Sequence, residues 1–231
     1  KKKKTLGITM LTYDKEPWEY VVIWLSRLYA TCEEFILTWT SEWSEEDKVW
    51  IDLPIEELPT KENWYKTGPC FELAYAVKLY QPTITHYLFS KSKGFAEVRN
   101  HGIDILRSKR QNNPYLKWGM FFDPDEFPTH DSPFCRALTA CAKNTEATNF
   151  LVKFDNPVVG HEDKNAWSES TRMFRLDLDF YRMSGRVHES FNDAHQKLIE
   201  LGSYPDIRYF PYTVRNVSVV TKEEMNVKLK K

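Results

Sequence analysis

The sequence lacks a long hydrophobic run, and it lacks an excess of charge of either sign. No apolar stretch reaches the ~18 residues of a membrane-spanning helix, and no hydrophobic signal-peptide core follows the lysines at its start. The 32 basic and 33 acidic residues leave a net charge of −1, so overall charge gives no argument for a nucleic-acid or membrane-surface binder. We therefore expect a cytoplasmic protein without a transmembrane segment.

Cysteine is also scarce. The 4 cysteines are Cys32, Cys70, Cys135 and Cys141, and their wide spacing matches neither a CxxC motif nor a zinc-ligand pattern. We expect buried, reduced thiols. The hydrophobic content of 42% is sufficient for a packed core in a chain of 231 residues, and no internal repeat or linker divides it.

The first forty residues predict a β-α-β unit. Leu6–Tyr13 and Glu34–Trp39 are apolar stretches typical of buried strands. Between them Pro17 suits the first position of a helix, and apolar residues recur at helical spacing from Val21 to Tyr29. Such a unit opens a parallel sheet with a right-handed crossover.

The remaining pattern predicts one α/β domain with a mixed central sheet flanked by helices. Helices are predicted at Phe71–Tyr80, from Phe95 to Leu106 with apolar positions Phe95, Val98, Gly102, Ile105 and Leu106, at Ser132–Cys141 and at Phe191–Leu201. Strands are predicted at Thr83–Phe89, Asn149–Val159, Arg172–Arg175, Tyr181–Val187 and Tyr209–Val220. Loops are predicted at Glu45–Gly68, with a short helix, and at His161–Ser170.

The most informative stretch is Trp118–Pro128. Its apolar first half fits a strand buried on both faces, and its two prolines are expected to end that strand because they cannot donate to a ladder. Asp123, Asp125 and Glu126 follow the apolar half, at the sheet edge where open α/β sheets bind ligands. Carboxylates gathered there need a cation, usually a hard divalent metal. An acidic, solvated turn is the alternative interpretation.

Three motifs in this order resemble the family 2 glycosyltransferases of GT-A fold. They are Gly94–Asn100 (GFAEVRN), Phe121–Glu126 (FFDPDE), and Thr171–Arg175 (TRMFR) followed by Gly185–Glu189 (GRVHE). The likeness is greatest to the branch that includes lipopolysaccharide-core and peptide glucosyltransferases, and it extends from the first strand to about residue 195.

This resemblance implies a single GT-A-type domain over residues 1–231, with a nucleotide-sugar-binding half (about 1–126) and an acceptor-side half (about 127–231). It also implies a metal-dependent, inverting hexosyltransferase that uses a nucleotide sugar, expected to be a UDP-sugar. A divalent metal held by carboxylates neutralises the charge that develops on the departing diphosphate.

The resemblance assigns the metal to the Asp-x-Asp motif. Asp125 is expected to ligate the metal, Asp123 to contact the metal or the donor ribose, and His188 to be a second protein ligand. Because an imidazole nitrogen suits the softer ion, Mn²⁺ is expected in preference to Mg²⁺.

Donor contacts are expected from two places. Arg99 and Asn100 would lie toward the diphosphate, since a guanidinium fork suits phosphate oxygens; ordinary helix-surface residues are the alternative. The nucleobase and ribose would be held by the ends of the first two strands, through Thr12, Tyr13, Asp14, Ser41 and Glu42.

The chain departs from the family at Trp39–Ser44, which lacks the usual Asp-x-Gly-Ser-x-Asp pattern. Uridine specificity is therefore open, and Trp39 or Trp43 is a candidate for stacking on a base. Tyr212–Ser218 also lacks the histidine that relatives often carry.

The catalytic base must be a carboxylate that accepts the proton of the acceptor hydroxyl. Glu189 is the first candidate, and Glu162 and Asp163 are the others; each is alternatively an ordinary solvated acid.

The acceptor is open between a glycan, a protein and a hydroxymethylated nucleic-acid base. Basic residues in the middle of the chain give the last option some support, although such runs are usually solvated helix ends. They are Lys91, Lys93, Arg99, Arg107, Lys109, Arg110 and Lys117. A nucleotide-sugar-binding module without activity is the second hypothesis.

Overall fold

The chain opens with a β-α-β unit, whose two strands lie in the parallel part of the sheet. The structure is a computed structural model that describes residues 4–12, 18–40, 42–44, 49–51, 71–87, 94–128, 131–157, 165–185 and 189–216. Strand β1 (Leu6–Thr12) and strand β2 (Glu34–Thr40) pair in parallel across helix α1 (Trp18–Leu28). The predicted unit is confirmed over these residues.

The other elements complete a sheet of eight strands. The remaining strands are β3 (Glu42–Ser44), β4 (Val49–Ile51), β5 (Thr83–Tyr87), β6 (Trp118–Phe122), β7 (Glu126–Pro128), β8 (Asn149–Pro157), β9 (Asn165–Arg175) and β10 (Ile207–Asn216). The remaining helices are α2 (Phe71–Tyr80), α3 (Phe95–Asn112), α4 (Asp131–Cys141) and α5 (Asn192–Glu200). The strand order is β5-β2-β1-β6-β9-β8-β10-β7, and β3 pairs with β4 in a separate two-stranded sheet.

The sheet is mixed. Strands β5, β2, β1 and β6 are mutually parallel. Strand β9 is antiparallel to both β6 and β8, so β8 and its parallel neighbour β10 run in the same direction as β1. The predicted α/β architecture, with its β-α-β start and a mixed central sheet flanked by helices, is confirmed.

Alternation along the strands divides the core between the two faces of the sheet. Leu6, Ile8 and Met10 of β1 belong to a cluster that includes α1, α2 and α4. The other face of the sheet packs against α3 through a second cluster containing Ile103 and Leu106. Every residue of β6 is buried, which confirms a strand covered on both faces.

Helix α3 approaches the sheet closely. Its buried residues are Ala96, Val98, Gly102, Ile103 and Leu106. Phe95 and Ile105, two of the apolar positions named from the sequence, are only half-buried. A Cβ added at Gly102 would lie 2.0 Å from Thr9 Oγ1. The glycine therefore allows the helix to touch β1.

Four sequence predictions are corrected by the pairing of strands. Strand β9 begins at Asn165, inside the predicted loop His161–Ser170, because it pairs with β8 up to Pro157. The predicted strand at Tyr181–Val187 has only one isolated bridge within its described residues, between Ser184 and Ser190.

Two further corrections concern short strands. Pro128 lies within β7, which among the described residues pairs only with β10, at the edge of the sheet. An edge strand tolerates proline because its outer side need not donate to a ladder. Strand β4 falls in the predicted loop Glu45–Gly68, and the rest of that loop lies outside the described residues.

Three cysteines are free thiols: Cys32 and Cys141 are buried and Cys135 is half-buried, while Cys70 lies outside the described residues. Burial raises the pKa of Cys32 to about 12 and that of Cys141 to about 11. None of the described helices has the length and apolar character that crossing a membrane requires.

Candidate active site

The acidic turn after β6 is positioned by the alternation of that strand. Phe121 belongs to the cluster on the α3 face, whereas Met120 and Phe122 belong to the opposite cluster. Successive side chains of a strand point to opposite faces, so Asp123 is directed toward α3. There its two carboxylate oxygens accept hydrogen bonds from Arg99 Nη1 and Nη2, at 2.8 Å and 3.0 Å.

Arg99 also binds a second carboxylate. Its Nε donates to Glu189 Oε1 at 3.3 Å, and its guanidinium lies 4.8 Å from the centre of the Phe121 ring. Burial lowers the pKa of Arg99, but Asp123 and Glu189 raise it by more, so the group stays charged. Arg99 therefore joins a turn 24 residues away to a carboxylate 90 residues away in sequence.

A second arginine reaches the turn from β9. Phe150 pairs with Met173 and Leu151 pairs with Thr171, which leaves Arg172 as the extra residue of a β-bulge. Bulges commonly redirect a side chain near a functional site. Here the Arg172 guanidinium lies between the rings of Phe121 (4.5 Å) and Phe154 (4.8 Å).

Arg172 pairs with the buried carboxylate of Glu126. Arg172 Nη2 donates to Glu126 Oε1 and lies 3.8 Å from Asp123 Oδ2. The other oxygen of Glu126 accepts the backbone N–H of Asp123 at 3.0 Å. The turn is therefore bonded internally as well as to both arginines.

Burial acts differently on the two carboxyls of the turn. It raises the pKa of Glu126 to about 8, although Arg172 lowers it. Burial also raises the pKa of Asp123, but Arg99 and Arg172 together lower it by more, so this pKa lies below its ordinary value. At neutral pH Asp123 is ionised, whereas Glu126 holds a proton far more readily than Asp123 does.

The opposite side of the turn rests on α1. Trp24 Nε1 donates to the carbonyl of Pro124 at 3.2 Å. The indole stacks on Phe122, with ring centres 4.6 Å apart, and on Phe127, at 5.9 Å. The acidic turn is thus held from both faces of the sheet.

The other predicted donor residues have the following places. Thr12 is buried at the carboxyl end of β1, and its hydroxyl has no hydrogen-bond partner among the described residues. Asn100 bonds the backbone of Met183 through both ends of its amide, each at 2.9 Å. Glu42 begins β3. Tyr13, Asp14 and Ser41 lie outside the described residues, as do the candidate bases Glu162 and Asp163 and the candidate ligand His188.

A complete metal site is not found in the part of the chain that the structure describes. No group of three or more histidine, cysteine, aspartate or glutamate side chains there could hold an ion. Asp125 is half-buried in the turn, and both oxygens of Asp123 bind Arg99. This donor set fits an ion held by one or two carboxylates together with substrate phosphates, as Mg²⁺ commonly is.

Sequence reasoning missed the roles of Arg172, Glu126 and Trp24. The first two lie inside the recognised motifs, but Arg172 was given no role, and Glu126 was counted only among the carboxylates expected to gather around a cation. The bulge that turns Arg172 inward depends on the register between β8 and β9, and a local pattern contains no signal of it. Trp24 was visible only as one apolar residue of a helix stripe.

Comparison with known proteins does not assign a family. No family model matches the chain, and no curated protein matches its sequence. Similar solved structures include 4-diphosphocytidyl-2C-methyl-D-erythritol synthase, with TM-score 0.49 and 10% identity over 99% of this chain and 98% of that one.

Two other similar structures have slightly lower scores. Glucosyl-3-phosphoglycerate synthase from Mycobacterium tuberculosis, in complex with Mn²⁺, UDP and phosphoglyceric acid, has TM-score 0.44 and 11% identity over 89% of this chain and 68% of that one. S. aureus TarS has TM-score 0.45 and 11% identity over 78% of this chain and 30% of that one. Likenesses of this size do not establish common activity.

Proposed function

We propose that the protein is a metal-dependent, inverting glycosyltransferase of GT-A fold that uses a nucleotide sugar, with a UDP-sugar as the first expectation. One observation supports this most strongly: residues of all three motifs meet in one cluster. Arg99 comes from the first motif, Asp123 and Glu126 from the second, and Arg172 and Glu189 from the third. The cluster lies where β6 ends, which is where open α/β sheets bind ligands.

In this proposal the acidic turn receives the donor diphosphate. Asp125 and His188 are the protein ligands of Mn²⁺ or Mg²⁺, and the ion supplies charge neutralisation for the leaving diphosphate when it is bound. Asp123 keeps 29% of its side chain exposed while bonded to Arg99. It is therefore oriented by the arginine and still accessible to a ribose or an ion.

Glu189 is the proposed base. It is the one candidate among the described residues, and Arg99 connects it to the Asp123 that would face the donor. A carboxylate in this place would accept the proton of the acceptor hydroxyl as its oxygen attacks the anomeric carbon.

The proposed acceptor is a hydroxyl of a glycan or protein rather than a nucleic-acid base. Three of the basic residues that favoured nucleic acid are engaged within the protein. Arg99 binds Asp123, Arg107 donates to the carbonyls of Leu178 and Tyr181, and Lys109 lies 3.7 Å from a carboxylate oxygen of Glu34.

A thermal-shift screen of UDP-, GDP- and CDP-sugars with and without Mn²⁺ tests the donor. We expect a UDP-sugar with Mn²⁺ to stabilise the protein, by ~2.7 kcal/mol at a concentration of about 100 times Kd. Asp125→Asn should remove the Mn²⁺-dependent part of the shift. Glu33 is an exposed carboxylate before β2. Glu33→Gln is therefore the matched control and should keep the Mn²⁺-dependent shift.

The same proteins are then assayed for sugar transfer and donor hydrolysis. Turnover that depends on Mn²⁺ and is lost in Asp125→Asn supports the transferase. Metal-dependent binding without turnover on any acceptor would instead favour an inactive binding module. Absence of any nucleotide-sugar shift would overturn the proposal.

A further inference from the structure

The segment that leads to Glu189 is supported by side chains of α3. Between Leu178 and Gly185 the chain has one isolated bridge residue and otherwise only turns and irregular backbone. Arg107 Nη2 donates to the carbonyl of Leu178 at 3.0 Å and to that of Tyr181 at 2.6 Å. A helix side chain thus satisfies carbonyls that a neighbouring strand would normally satisfy.

Asn100 also bonds the backbone of this segment, at Met183. Its Nδ2 donates to the Met183 carbonyl, and its Oδ1 accepts the Met183 N–H, both at 2.9 Å. The amide therefore reproduces the pair of bonds that an adjacent strand residue makes. Between these two contacts Arg182 pairs with Asp104 at 2.6 Å.

The three supporting residues form one stripe on α3. Asn100, Asp104 and Arg107 are spaced i, i+4 and i+7, so they share a helix face. The helix is in turn fixed to the sheet by the close approach of Gly102 to β1. The stripe is therefore a rigid support for the segment.

Beyond the stripe, the backbones of Ser184 and Ser190 are in contact. Ser184 and Ser190 exchange two backbone hydrogen bonds, each 2.9 Å long. Glu189 precedes Ser190, and 12% of its side chain is exposed. It pairs with Arg99, which is next to Asn100 in the sequence. The same guanidinium group also donates two hydrogen bonds to Asp123.

We propose that Arg99 is a positioning residue that fixes the Glu189 carboxylate relative to Asp123, and that Asn100 holds the segment in place for it. This inference rests on the proposed function and deepens it: the arginine expected to bind the diphosphate instead sets the geometry between the base and the donor site. A misplacement of about 1 Å can cost roughly 10²-fold in rate.

The ligand-free test is hydrogen exchange on Arg99→Gln and Asn100→Ala. We expect faster exchange at the amides of Met183, Ser184 and Ser190 in Asn100→Ala, and at Ser190 in Arg99→Gln. Lys109→Gln removes a charge from the same helix without contacting the segment and should leave these amides unchanged. Unchanged exchange in both test variants would overturn the positioning role even if the proposed function holds.

The functional test separates binding from turnover. Titration of UDP with Mn²⁺ into Arg99→Gln should give a Kd within about threefold of wild type, whereas kcat with the donor identified by the thermal-shift screen should fall by roughly 10²-fold. Arg99→Lys should recover part of kcat, because an ammonium keeps one of the two ion pairs. It also serves as the readout if Arg99→Gln does not fold.

The opposite pattern is equally clear. A tenfold or larger loss of UDP affinity with kcat unchanged, in either variant, would make Arg99 a diphosphate ligand and overturn the inference. If wild type binds no nucleotide with Mn²⁺, the proposed function fails, and the exchange experiment alone decides whether the stripe positions the segment.

Discussion

The guanidinium groups of Arg99 and Arg172 both lie over the Phe121 ring, and three carboxyl groups pair with them. If all were ionised, Asp123, Glu126 and Glu189 would exceed Arg99 and Arg172 by one negative charge. The raised pKa of Glu126 relieves this excess, because one retained proton makes the cluster neutral. Asp123 can then stay ionised between the two arginines.

The raised pKa of Glu126 should make the stability of the protein depend on pH. The pKa of Glu126 is about 8 in the folded protein against an ordinary 4.5, so between these values the folded state keeps a proton that the unfolded state releases. Stability should therefore fall as pH rises through this window, by up to ~1.4 kcal/mol for each pH unit. The pKa of Asp123 is lowered in the folded protein, so this residue makes stability depend on pH only below its ordinary pKa of 3.8.

Glu126→Gln does not titrate and should remove this slope. The free energy of unfolding, measured with urea between about pH 5 and pH 8, should decline in wild type relative to the variant. Glu33→Gln should follow wild type. Parallel curves for wild type and Glu126→Gln would contradict the prediction.

Trp24 supports the acidic turn from the side of helix α1. Trp24→Phe removes the hydrogen bond to Pro124 and part of the stacking on Phe122 and Phe127. We expect a loss of about 1–3 kcal/mol in unfolding free energy, from one buried hydrogen bond and lost packing volume. Tyr204→Phe changes a side chain that is 82% exposed and should have little effect; equal effects in the two variants would show that Trp24 does not support the turn.

The contact between helix α3 and strand β1 leaves no room for a side chain at Gly102. Gly102→Ala would place Cβ 2.0 Å from Thr9 Oγ1 and 3.1 Å from Thr9 Cβ. Because Thr9 is itself buried, the helix must shift, and we expect a destabilisation of about 1–3 kcal/mol. Ser108→Ala, at an exposed position of the same helix, is the control.

A double variant shows whether that contact is the cause. Thr9→Ala removes the nearer atom, so the loss in Gly102→Ala should be smaller when both changes are present. Additive losses would mean that another contact of Gly102 is responsible.

Helices and strands were predictable from the sequence where burial makes apolar residues recur at a regular spacing. Helix α2 and strand β6 have the predicted bounds because their apolar patterns are complete within each element. Strand β9 was predicted only in part, since its first residues are polar and are held by pairing with β8. Its strand conformation is set by a neighbour in space, and the local sequence carries little sign of it.

The site divides in the same way. The order of the three motifs was sufficient to nominate Arg99, Asp123 and Glu189, and the structure brings these three together. The partner of each was not predictable. The bulge that directs Arg172 and the α3 stripe that holds Met183 depend on packing between distant segments.

The two predicted halves share one continuous eight-stranded sheet. Strand β6 of the first half lies between β1 and β9, and β7 leaves the acidic turn to pair with β10 at the far edge of the sheet. Arg172 and Glu189 of the second half bind carboxylates or an arginine of the first. The eight-stranded sheet and the cluster around Arg99 and Arg172 are therefore each built from residues of both halves.

Because the halves share this sheet, we expect one cooperative unfolding transition. Tryptophan fluorescence, which includes the buried Trp24 and Trp118, and far-ultraviolet circular dichroism should give the same urea midpoint. Asp123→Asn weakens the contact with Arg99 and should lower both midpoints together. Separate midpoints, or a shift of only one probe in Asp123→Asn, would mean that the halves unfold independently and that the site is a junction between two folding units.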